Sequence, residues 1–156
     1  LIGARDLAAQ ALGLAPHLRP VHIAKGALGN DLPERDIMVS PNHRMLVAND
    51  KTMLYFEESE VLVAAKHVTG LRGVTIAPPA PVSYIHMMFE RHEVILSNGA
   101  WSESFQPGTQ TLAGLDNAQR MEIFELFPEL ATKDGVEGYS SARRSAKAHE
   151  AALFVR

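Results

Sequence analysis

Val39-Ser40-Pro41-Asn42-His43-Arg44-Met45-Leu46-Val47 sets a Ser-Pro-Asn-His turn between two extended segments, and the reading of the whole chain grows from this interrupted strand. Asp36 to Val39 begins a strand, Pro41 and Asn42 carry turn chemistry, and Met45-Leu46-Val47 resumes the extended pattern. Upstream, Val21 and Ile23 alternate with their neighbours as in a half-buried strand, and Gly26 to Pro33 reads as a loop. Before them a short helix is expected over residues 6–13, with Asp6 as its cap and Gly13 as its stop. Downstream of a turn at Asn49-Asp50-Lys51, Met53 to Phe56 and Val61 to Ala65 read as further strands. Short strands at this spacing predict a mainly β core.

A second block follows Gly70 to Gly73 and the cluster Pro78-Pro79-Ala80-Pro81. Val82 to Phe89 and His92 to Leu96 are read as strands that could pair as a hairpin, with a strong turn signal at Ser97-Asn98-Gly99. After Phe105 the pattern becomes helical. Asp116 to Gln119 fits a capping box, and Met121, Ile123, Phe124, Leu126 and Phe127 have helical spacing up to Pro128. Ser141 to Val155 is Ala-rich with Arg, Lys and Glu, favourable for a last helix. The expected organisation is a β domain over residues 1–108 and a helical C-terminal extension over 109–156 packed on it.

Composition narrows the function classes. The 156 residues suffice for one domain with a real core, and no stretch approaches the roughly 20 apolar residues that cross a bilayer, so no membrane partner is expected. Fifteen basic and 18 acidic residues give a net charge of −3 with no basic stripe, which argues against nucleic acid. The absence of cysteine excludes disulfides, thiolate metal sites and a thiol nucleophile within this chain, and leaves the compartment open. Residue 1 is Leu and no secretory signal pattern follows it, so a further upstream segment is expected.

Candidate chemistry sits at two places. Ser40 and His43, three apart across a turn, can face one small volume where the imidazole exchanges a proton with a reacting group; an ordinary turn has the same residues. His86 and His92 are six apart, a spacing that shares a face only if the strand is unbroken, and Glu90-Arg91 is expected to bend it. His43, His86 and His92 could alternatively hold zinc with water in an open position, as in a metal-dependent hydrolase. A non-catalytic interaction domain is a further alternative. His17, His22, His67 and His149 read as ordinary core or surface histidines.

The order of the two blocks brings a family into view. Val39 to Leu46 resembles the Hint (Hedgehog/intein) block of an apolar residue, Thr or Ser, two variable residues, His and further apolar residues. Val82-Ser83-Tyr84-Ile85-His86 with Phe89 to Phe105 resembles the late Hint block. Arg19-Pro20-Val21-His22-Ile23, Gly26-Ala27-Leu28-Gly29, Leu32-Pro33-Glu34-Arg35-Asp36 and Glu103-Ser104-Phe105 are similar to bacterial Hint proteins of the Hint_2 kind. The resemblance covers about residues 1 to 108. Leu1 to Arg5 looks like the segment just before the family's central loop.

The resemblance implies a mainly β Hint fold, incomplete at its N-terminus, and an autoprocessing activity without cofactor or bound metal. In such proteins a Cys or Ser at the domain's first position attacks the preceding carbonyl, an N-to-S or N-to-O acyl shift. His43 matches the histidine that hydrogen-bonds the scissile amide nitrogen, and Ser40 the Thr that contacts the same amide. His86 falls near the place where inteins often carry Asp or Cys to assist the shift, and His92 matches a second histidine of the late block. Glu103-Ser104 stands where inteins have His-Asn, which implies cleavage of an upstream polypeptide rather than splicing. The nucleophile and first strands are expected upstream of residue 1, which would leave this fragment inactive alone. The implied partner is the chain's own upstream polypeptide or a separate N-terminal fragment, with homo-oligomers through exposed β edges as a further expectation.

Overall fold

The computed structural model describes residues 2–48, 50–87, 89, 92–104, 115–128 and 143–155. Among the described residues, nine strands and four helices follow in the order β1 (Ile2–Leu7), α1 (Ala9–Leu14), β2 (Val21–Ile23), β3 (Ile37–Val39), β4 (Arg44–Val47), α2 (Asp50–Phe56), β5 (Val61–Ala64), β6 (Val74–Ile76), β7 (Val82–Met87), β8 (Val94–Ser97), β9 (Ala100–Glu103), α3 (Leu115–Leu126) and α4 (Ala148–Val155). The fold is mainly β. Its strands form three antiparallel sheets, ordered β1-β7, β3-β2-β6 and β5-β4-β9-β8.

Two apolar clusters hold these sheets. Val21 and Ile23 of β2, Met45 of β4 and Val61 and Val63 of β5 pack together with Phe56, and Ala146, Ala151 and Phe154 from the C-terminal segment close the same cluster. A second cluster lies beside β7, where Tyr84 meets Leu12 and Leu18 on one side and Ile123, Leu126 and Phe127 on the other. The Tyr84 hydroxyl donates to the Leu18 carbonyl, so the ring is buried without stranding its polar end.

Several segments differ from the sequence expectations. Met53 to Phe56 belongs to the helix α2, not to a strand: Thr52 and Phe56, four residues apart, are its buried side chains, and Met53, Leu54 and Tyr55 stay exposed. A run of four apolar residues fits either period, and the stacking of Phe56 on Phe154 decides for the helix. The first helix starts at Ala9, and Asp6 caps nothing; it lies in β1, where its carboxylate accepts from the Ser83 hydroxyl. The hairpin between Val82–Phe89 and His92–Leu96 does not form. β7 pairs instead with β1, and β8 pairs with β9 across Asn98-Gly99, whose φ values of 48° and 76° give the left-handed turn that a tight hairpin requires.

The last helix covers only Ala148–Val155. Before it, Ser145 bridges Leu62 in extended conformation. The bend expected at Glu90-Arg91, Phe105, Ser141 and the capping-box side chains of Asp116 and Gln119 lie outside the described residues. No described helix is long and apolar enough to cross a membrane.

Candidate active site

The Ser40–His43 turn is fixed by its own backbone. The His43 N–H donates to the Ser40 carbonyl (3.1 Å), while Lys66 and Ala65 donate to the carbonyls of Pro41 and His43 (2.9 Å each). These bonds seat the turn on the 3-10 segment Ala65–Val68 that follows β5. His86 reaches the same place from β7, where period-two alternation turns Tyr84 and His86 inward and Ser83, Ile85 and Met87 outward. The His43 and His86 ring centroids lie 6.4 Å apart.

Both rings line a cleft of about 440 Å³, whose walls also carry Ser40, Ser102 and Glu103. The Ser40 hydroxyl is buried, and among the described residues it has no hydrogen-bond partner of good geometry. It faces the Glu122 carboxylate, whose pKa burial raises, an effect that the nearby Ser40 hydroxyl in part offsets. A buried hydroxyl left short of partners costs free energy, which a ligand accepting or donating there would recover.

Behind the cleft lies a charge network that sequence reading did not assign. Glu103 has a fully buried side chain; its Oε1 accepts from the Arg44 N–H (2.7 Å), and its Oε2 accepts from Arg44 Nε (2.7 Å) and pairs with Arg44 Nη2 (2.6 Å). His92 Nε2 lies 3.1 Å from the same Oε2. Thus His92 serves Glu103 and is not among the cleft's lining residues, whereas Ser40, His43 and His86 share the cleft. A three-histidine zinc site is not assembled, and no group of three or more His, Asp or Glu among the described residues has metal-holding geometry.

The electrostatics keep the two cleft imidazoles neutral near pH 7. Burial pushes the His43 pKa below its ordinary 6.5, with Glu103 opposing and Arg44 assisting. Burial together with the neighbouring His43 takes His86 down to about 4. Neutral rings can accept a proton at one nitrogen while donating from the other.

A stability consequence follows. A His whose folded pKa is depressed binds fewer protons folded than unfolded between about 4 and 6.5, so acid favours the unfolded chain through that window. The gap corresponds to about 3 kcal/mol once His86 is fully protonated. His43 acts with the same sign, Glu103 adds its part at lower pH, and Glu122, whose pKa burial raises, acts oppositely. Urea unfolding at about pH 7 and about pH 4 should show a marked loss at the lower pH that His86→Gln reduces by roughly this amount. An equal loss in the variant would contradict the burial of that imidazole.

In comparison with known proteins, the family model described as a Hint domain matches residues 1–109. No curated protein and no solved structure matches.

Proposed function

Because the chain belongs to the Hint domain family, we propose that the His43–His86 cleft promotes an N-to-S or N-to-O acyl shift that cuts a polypeptide upstream of it. The observation that carries this reading is the pairing of two neutral imidazoles in one cleft beside the buried Ser40 hydroxyl. A thiol or hydroxyl attacks the carbonyl of the residue before it; the new C–S or C–O bond forms and the C–N bond breaks. The nucleophile's proton is taken up by the imidazole pair at His86 and returned from His43 to the amide nitrogen, which leaves as an amine. Ser40 bonds the amide and holds it in line for attack.

The nucleophile is placed on the segment being cut, in cis or as a separate piece, because it attacks the residue before it; a thiol in particular must come from there, since the chain holds no cysteine. On this reading the 156-residue chain alone does not cut itself. The segment enters extended. β3 is an edge strand of its sheet, β7 is paired on one side with β1, and both line the cleft, so their backbones offer hydrogen bonds to a strand laid between them. Ser104, where a cyclising Asn would stand, has no carboxamide, and Glu103 before it is committed to Arg44, which leaves water or another nucleophile to release the acyl group rather than a splicing step.

Hydroxylamine near neutral pH tests the shift directly, because it attacks an ester or thioester and leaves ordinary peptide bonds alone; cleavage at Asn98-Gly99, which alkaline hydroxylamine promotes, is told apart by mass. A precursor carrying the upstream polypeptide should release it as a hydroxamate, identified by mass. Release only as the free acid at an unchanged rate, or no release, would rule the shift out.

A further inference from the structure

We propose that Glu122 and Phe127 are positioning residues for the two cleft histidines, so that α3, which lies beyond the family-matched stretch, completes the processing site. This rests on the processing reading given above. Glu122 is buried, yet its Oε2 reaches the Ser40–His43 turn and accepts from both Asn42 N–H (3.2 Å) and Asn42 Nδ2 (2.8 Å). Asn42 directly precedes His43. The carboxylate therefore fixes the peptide from which the His43 side chain departs, and it faces Ser40 as well.

The second contact falls on the other histidine. Phe127 meets His86 edge to face, with ring centroids 5.2 Å apart at 83°. Its N–H bonds to the Ile123 carbonyl (2.7 Å), so it continues the helical hydrogen-bond pattern of α3. The opposite strand makes room for that ring. Gly3, paired with His86, has no side chain, and a Cβ there would sit 3.2 Å from the Phe127 ring.

Five residues of helix separate the two contacts by about 7.5 Å along the axis. That is comparable with the 6.4 Å between the histidine rings. One rigid element thus spans both halves of the site. Ile123 and Leu126, both buried beside Tyr84, anchor it against β7. Carboxylates are seldom buried without a partner, and here the partners are the two Asn42 donors of the reactive turn with Ser40 facing the carboxylate, no ion pair to Glu122 being present among the described residues.

The test combines processing with histidine NMR. In the precursor, Glu122→Ala and Phe127→Leu should each slow processing about 10–100-fold, the scale expected when a reactive group shifts by a fraction of an ångström to an ångström. Glu122→Gln should recover most of the first loss, since its amide oxygen still accepts from Asn42. In the 156-residue chain, Glu122→Ala should move the Asn42 amide and His43 ring signals, and Phe127→Leu should move the His86 ring protons, with the melting transition retained. Folded variants that process at the parent rate, or Glu122→Gln as slow as Glu122→Ala, would overturn the proposal. If the parent precursor does not process at all, the processing reading fails; histidine signals that then stay put in both variants would sink the positioning claim too, and signals that move would sustain it.

Discussion

Glu103→Leu is expected to remove about 3–5 kcal/mol of folding stability, the range for breaking a buried ion pair by deleting one partner. Burial alone would push this carboxylate's pKa up, but Arg44 and His92 outweigh burial and hold it below the ordinary 4.5. Deleting it removes at once the carboxylate that accepts from the Arg44 backbone N–H and Nε and pairs with Nη2, while Nη1 keeps its bond to the Ser145 hydroxyl. It also weakens the joint between β4 and β9, where Met45 faces Ser102 and the ion pair lies one residue along each strand. The double variant Arg44→Met with Glu103→Leu should regain much of the loss, because no unpaired charge then remains buried. Urea unfolding of the single and double variants checks both statements. A single-variant loss below about 1 kcal/mol would mean that the pair is hydrated and not buried.

His43→Ala is expected to slow precursor processing by about 10²–10⁴-fold, the usual contribution of a positioned proton donor or acceptor. His86→Ala should cost a comparable factor. If the two rings relay one proton, the double variant is little slower than either single one, because groups that act as a unit are not additive. Multiplying losses in the double variant would instead assign the rings to separate tasks. His92→Ala should act differently, lowering stability through Glu103 while its folded fraction keeps most of the rate. Single-exponential fits of the precursor's disappearance give all of these factors.

The local devices of the site were legible in the sequence. The turn at Pro41-Asn42 and the extended run from Val82 follow from nearest-neighbour rules, which put one imidazole on a turn and the other on a strand; that His86 faces inward is a finding of the structure. What sequence could not show was whatever depends on distant residues. Arg44 and Glu103 look like solvated strand ends, and only their meeting across 59 positions of chain makes them interior. Glu122 reads as one more acidic residue on an amphipathic helix until the fold sets it on Asn42, 80 residues away.

The misread elements have the same origin. Ile2–Leu7 holds Gly, Ala, Arg and Asp and lacks strand character alone; its pairing with β7 makes it a strand and displaces the hairpin expected for Val82–Phe89. The resemblance favoured His86 over His92 as a catalytic group but kept both as candidates, because spacing alone cannot say which lines a cleft and which braces a carboxylate.

The claim that this cleft breaks a peptide bond is tested most directly by intact-mass spectrometry of a purified precursor over time, beside its His43→Ala counterpart. The account predicts that the parent separates into the upstream polypeptide and the folded domain at one defined bond, while the variant stays whole on the same time scale. A parent that never divides, or a variant that divides equally fast at that bond, would contradict it.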